Sequence, residues 1–225
     1  TGMFATGAGT YTAVNNGTIK LASSSNVNTP NIGMYTDKDT ITLENNGTIE
    51  GGDKTVGIYG YSANLGATST TKVGSGGTGV YSKGGNVTLN GGKLTVGNGK
   101  AAGVLTNGSG QTIISTADVQ LGNSKSYGFV IKGSGTNADI NDADGTKLNN
   151  ESVFMYSSDK TSNVINRTAL ESTGNKNSGL YSSGNVKNLA DINFGIGLGN
   201  VGIFSVDDGL AENGAPGLVA QPVIT

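Results

Sequence analysis

The chain has 225 residues, a net charge of -2, only 13% charged residues and a single arginine, Arg167. This length is ample for one core. So light and weakly acidic a balance argues against nucleic acid, which needs a basic face. Absence of Cys and His excludes disulfides, thiolate metal sites, cysteine nucleophiles and histidine acid–base chemistry. Nowhere is there an apolar run of the roughly 18–20 residues a membrane helix needs, so no direct membrane insertion by this chain is expected.

Taken in chain order, one tetrad recurs: Gly, an aliphatic residue, usually an aromatic one, then a small one. It appears as GMFA at Gly2, GMYT at Gly33, GIYG at Gly57, GVYS at Gly79, GVLT at Gly103, GFVI at Gly128, FMYS at Phe154, GLYS at Gly179 and GIFS at Gly202. Steps between copies run from 22 to 31 residues, with a mean of 25. The longest step contains ASSSNVNTPN, Ala22 to Asn31, which reads as a loop inserted at a corner. A degenerate tenth copy, GLVA at Gly217, is out of phase.

Between tetrads lie short alternating runs, such as Ile41-Thr42-Leu43, Val87-Thr88-Leu89 and Leu94-Thr95-Val96. Alternation over three to five residues signals strands. Asn-Gly pairs at Asn16, Asn46, Asn90, Asn98 and Asn107 separate many of them and supply the positive φ of tight corners. Hairpins in a meander are the competing reading. With three strands per repeat, however, a meander would reverse direction at every repeat, whereas a solenoid returns each residue type at the same phase. The prediction is an all-β, right-handed parallel β-helix of about nine coils, about 25 residues and three short strands per coil. Residues 1–225 form a single segment, with 207–225 an irregular coil or tail.

The residue after the glycine is always apolar and the one before it often is, so both are expected to point inward, leaving glycine and aromatic together on the outer face; the reverse assignment puts tyrosine inside and uses glycine to bend the chain at a corner. Tyr35, Tyr59, Tyr81, Tyr156 and Tyr181, with Phe4 and Phe204, then form an aromatic ladder leaning over a glycine strip. These tyrosines are the candidate binding residues, able to stack on sugars or anchor a protein partner.

Other chemistry is poorly provided for. A lyase-like site would need acids around Arg167, whose nearest acid in sequence is Glu171. Asp207-Asp208 is a carboxylate pair without the histidine of polygalacturonase-like sites, although two carboxylates can hydrolyse a glycoside. Asp142, Asp144, Gly145 and Glu151 fall at EF-hand spacing, but Ile140 takes the first ligand position and the run reads as a solvated corner. No metal, cofactor or catalytic activity is expected.

The G-[IVLM]-[YF]-[ST] coils, spaced by N-G-T-I and V-T-L-N-G-G elements and free of Cys, resemble the passenger region of type V autotransporters, most of all the large surface adhesins of fusobacteria. That resemblance covers Thr1 to Ser205. It implies a non-catalytic segment displayed at the cell surface, held by an outer-membrane barrel not present in this chain. It also implies attachment to a protein or glycan of host cells or other bacteria. A vacuolating-toxin-like passenger and a β-helical carbohydrate-active enzyme are the alternatives.

Overall fold

A computed structural model describes residues 1–225 and contains strands, turns and no helix. It is a parallel β-helix with three faces. The first face is a nine-stranded sheet of Met3–Ala5, Asn31–Thr36, Thr55–Gly60, Thr78–Ser82, Ala102–Thr106, Tyr127–Ile131, Val153–Ser157, Ser178–Ser182 and Val201–Ser205. Each strand opens one coil. The second face is another nine-stranded sheet, from Tyr11–Asn15 to Ala211–Asn213. Strands pair in parallel with the coils before and after, so the same phase of the repeat stacks along the axis: Met3 on Met34, Met34 on Ile58, Ile58 on Val80.

The third face is divided. Thr18–Leu21, Thr48–Gly51, Thr70–Val73, Lys93–Val96 and Asp118–Gln120 form one sheet; Thr146–Leu148, Leu170–Ser172 and Ile192–Asn193 form another. Eight coils therefore carry all three strands, one fewer than expected. The ninth closes through an isolated bridge between Ile192 and Ile224, so residues 207–225 include a second-face strand in register and a short third-face return. No first-face strand forms at Gly217. Residues 22–30 are a loop leading into the second coil, and Asn31 already belongs to its first strand.

A continuous cluster of 30 buried apolar residues fills the interior. The tetrad aliphatics Met34, Ile58, Val80, Val104, Phe129, Met155 and Leu180 are fully buried, as are the small residues Thr36, Ser82, Thr106 and Ser182 two positions on. Interior polar side chains form a ladder of their own: Asn15 donates to Asn45 (2.8 Å), Asn166 to Asn188 (2.8 Å) and Asn188 to Asn213 (2.8 Å). At the intervening coils this column holds Leu65, Leu89, Ser115 and Ile140.

Three sequence expectations are corrected here. The tetrad glycine faces inward, not outward beside the aromatic ring. A Cβ on Gly79 would lie 2.5 Å from Leu94 Cδ1, an interior third-face atom, and 2.7 Å from the Gly103 carbonyl oxygen. The strand bends at glycine so that two successive positions point inward, and only a residue without Cβ lets the next coil's backbone approach so closely. As a consequence, residues before the glycine do not all point to the core: Ile32 and Val153 are half-exposed and Val201 is exposed, although Val56 and Ala102 are buried. Third, positive φ belongs to only two of the five Asn-Gly glycines singled out, Gly91 (82°) and Gly99 (64°). The corner entering the first face instead holds Lys54, Lys100, Lys125, Glu151 and Lys176 in the left-handed region.

Candidate functional site

The nine first-face strands contain no Asp, Glu, Lys or Arg. Their side chains facing away from the core cluster form two columns, in which Val56, Ala102 and Val130 are buried and the others are at least partly exposed. One runs Phe4, Tyr35, Tyr59, Tyr81, Leu105, Val130, Tyr156, Tyr181, Phe204. The other runs Ile32, Val56, Thr78, Ala102, Tyr127, Val153, Ser178, Val201. Lysines stand at both borders: Lys54, Lys100, Lys125 and Lys176 before the strands, Lys38, Lys83 and Lys132 after them.

All five expected tyrosines are outward and half-exposed, so the aromatic ladder exists, in two pieces. Ring centroids are 5.4 Å apart for Phe4–Tyr35, 5.5 Å for Tyr35–Tyr59 and 4.7 Å for Tyr59–Tyr81. Tyr156–Tyr181 and Tyr181–Phe204 follow at 5.1 and 5.2 Å. Rings this close, tilted by 5–32°, spend their faces on one another. What remains for a partner is a row of ring edges and phenol hydroxyls at the coil spacing. Sugar stacking on ring faces, expected from the sequence, is unavailable inside each piece.

Lys83 and Tyr61 complete the border of this strip and were not singled out by the sequence reading. The Lys83 ammonium lies 4.7 Å from the Tyr61 ring centroid and 5.7 Å from that of Tyr59, a cation–π geometry. Their signal was available: Tyr61 and Lys83 stand 22 residues apart, one coil in this part of the chain. Burial pushes the Tyr59 phenol above its usual value; neighbouring Tyr81 adds to the rise and the Lys83 ammonium opposes it. The Tyr59 hydroxyl therefore stays neutral at physiological pH.

Groups weighed for chemistry are dispersed. Arg167 pairs in a two-pronged contact with Asp139 of the preceding coil (2.8 and 3.1 Å). That pairing raises the guanidinium pKa. Glu171 pairs instead with Lys147, and Glu151 with Lys125, both at 3.6 Å. Asp142 is buried and accepts from the Asp144 backbone N–H (3.0 Å) within its own corner, so the EF-hand spacing assembles no ion cradle. No three acidic side chains converge anywhere in the chain.

No family model matches this chain, and neither a curated protein nor a solved structure shows significant similarity to it. The fold class is thus carried by the strand register alone: a parallel β-helix with one uncharged, aromatic face.

Proposed function

We propose that this chain is a surface-displayed, non-catalytic β-helical segment of a secreted autotransporter adhesin, and that its first face attaches to a protein or glycan on host cells or other bacteria. The observation that carries the reading is the charge-free first face. Nine strands without one Asp, Glu, Lys or Arg, bordered by lysines and by acids such as Asp37 and Glu151, form a strip about 40 Å long at about 4.8 Å per coil. Large contiguous apolar patches on soluble proteins mark interaction sites. Hydroxyl edges and flanking ammonium groups suit a partner rich in hydrogen-bond acceptors. Transport across two membranes to the cell surface accords with a Cys-free chain whose coils each contact mainly their neighbours.

The test is a glycan-array and host-cell binding assay of the chain beside a variant with Tyr35, Tyr59 and Tyr81 changed to Ser, both checked by circular dichroism. Binding by the parent and loss in the folded variant supports the reading. Binding that survives in the variant moves the adhesive surface elsewhere, and a parent that binds nothing reduces the segment to a spacer. An oligomerising passenger of the vacuolating-toxin type is the second reading, favoured by Ile196 and Leu198, which stand fully or largely exposed at a corner of the eighth coil. Sedimentation velocity of the same sample, with self-association that vanishes in Ile196→Ser/Leu198→Ser, would favour it.

A further inference from the structure

Two separate devices lapse at the same level of the rod. The aromatic ladder gives way to Leu105 and Val130 in the fifth and sixth coils. This level also lies within the longer stretch, third coil to sixth, where Leu65, Leu89, Ser115 and Ile140 take the column of the interior Asn ladder. Between those same coils the third face is severed, since Asp118–Gln120 and Thr146–Leu148 belong to different sheets. The first and second faces remain paired across this level, Val104 with Phe129 and Ile113 with Ala138.

The sequence explains the severance. The corner between second and third faces is five residues in the sixth coil, Asn141 to Gly145, and two to four in the other complete coils. The surplus carries the next strand out of register. In the coil after it, Phe154 replaces the tetrad glycine; its buried ring packs edge-on against Phe129 (5.7 Å) in volume that glycine leaves open elsewhere.

Side chains stand in for the missing backbone rungs. The Val119 N–H donates to Asp142 Oδ2 (3.1 Å), and the Thr146 hydroxyl lies 3.1 Å from that oxygen and 3.3 Å from the Val119 carbonyl. At the far end Asn149 Nδ2 donates to the Gly122 carbonyl (3.0 Å). Between these two fastenings lies an open groove of about 460 Å³, whose lining includes Asp118, Gln120, Gly145 and Lys147.

We propose that this level is a crease: the third face opens between the fifth and sixth coils while the other two faces stay paired, so that the rod bends as two stiff stacks about the corner opposite. Asp142, Thr146 and Asn149 form the latch that holds the crease shut. Opening costs three side-chain contacts and, at the far corner, the parallel Ser124–Asn150 bridge with its Lys125 N–H to Asn150 carbonyl (2.8 Å) and Asn150 N–H to Asn123 carbonyl (3.3 Å) bonds. That is less than a full strand's backbone ladder, and low-stability segments of this kind are where motion concentrates. The inference holds whatever the first face binds.

The chain has no cysteine, so pairs of spin labels can be placed without background. One pair, Lys72→Cys and Glu171→Cys, spans the crease on exposed third-face positions four coils apart; a control, Lys20→Cys and Gln120→Cys, spans four coils within the first stack. Both separations are about 19 Å along the axis at about 4.8 Å per coil. Pulsed dipolar spectroscopy should give a distance distribution at least about twofold broader across the crease than in the control. Equal widths overturn the proposal. Hydrogen exchange on the unlabelled chain should show the amides of Val119, which donates across the crease, and of Lys147 exchanging at least about tenfold faster than those of Glu50 and Lys72; uniform protection along the third face also overturns it. Asn149→Ala, which removes one latch at a partly exposed site, should broaden the crossing pair alone. Equal broadening of the control pair would show general loosening instead and refute the latch.

Discussion

Coils one to four and coils five to six share a repeat, a register and a buried aliphatic column, yet differ in what ties one coil to the next. In the first group Phe4 to Tyr81 stack ring on ring, Asn15 bonds Asn45, and the third face is an unbroken parallel sheet. In the second, aliphatic side chains take the aromatic column and three side chains replace the third-face ladder. Burial is equally complete in both: Ile58 and Val80 are as buried as Phe129 and Ile131. The difference teaches that hydrophobic burial makes the solenoid, while directional ladders decide where it is stiff.

The sharpest way to break this comparison is to attack burial where ladders are absent. Phe129→Ala, in the sixth coil, should cost about 3–5 kcal/mol, the range for large aromatic truncations in a core, read as a lower urea midpoint. If burial were loose around the crease the cost would fall below about 1 kcal/mol, and the central coils would differ in packing as well as in ladders. Next in size is the interior polar column. Asn45→Ala should cost about 1–3 kcal/mol, because it leaves Asn15 and the Thr71 hydroxyl without their buried partner. Leu89→Asn, in the same column but between Leu65 and Ser115, should cost at least as much, since the new amide finds no ladder to join.

Asp142 gives a pH-dependent contrast. Burial raises its folded pKa above the ordinary aspartate value, with Asp118 adding to the rise; hydrogen bonds from Val119, Asp144 and Thr146 oppose it. A raised carboxylate pKa means that the folded chain keeps a proton the unfolded chain has released. Stability from this group is therefore highest at acid pH and falls as pH rises from the unfolded value, about 3.9, through the folded one. Urea midpoints of the wild type and Asp142→Asn, compared at pH 3.5 and pH 7, should show wild type gaining on the variant at the acid end. An unchanged difference would mean that the carboxylate is fully hydrated and the latch is wet.

Much of this architecture was legible in the sequence, and the misreadings have physical causes. The tetrad marked all nine first-face strands and the phase at which they stack, because burial forces one residue type back to one place in every coil. Alternation favoured outward tyrosines without excluding inward ones, and the structure places all five half-exposed on the outside. Glycine's direction did not, since a strand that bends at a bare Cα breaks period two and no residue pattern marks that bend. The Asn-Gly pairs suggested where positive φ would fall; yet at Lys54, Lys100, Lys125 and Lys176 stacking of like corners imposes it on a non-glycine residue. The crease was hidden for a related reason: five corner residues in place of three look like ordinary loop variation until the neighbouring strand is seen to have no partner.

The smallest expected effects lie on the outer surfaces and separate ladder from decoration. Tyr59 and Tyr81, the closest ring pair at 4.7 Å, should show a coupling of about 0.5–1.5 kcal/mol in a double-mutant cycle to alanine, whereas Tyr81 and Leu105, one coil further on, should couple more weakly. The third-face ion pairs rank below both. Lys20–Glu50 lies in the stiff stack and Lys147–Glu171 beside the crease, each at 3.6 Å with both side chains more than half exposed. Exposed pairs of this kind contribute about 0–1 kcal/mol and fade with salt. Each cycle should therefore give a small value, alike in the two regions and lost at about 1 M salt, where the Debye length is near 3 Å. A coupling well above that range at Lys147–Glu171 alone would mean that ion pairs reinforce the stack next to the severed face, and stiffness would then depend on surface charge as well as on buried and aromatic ladders.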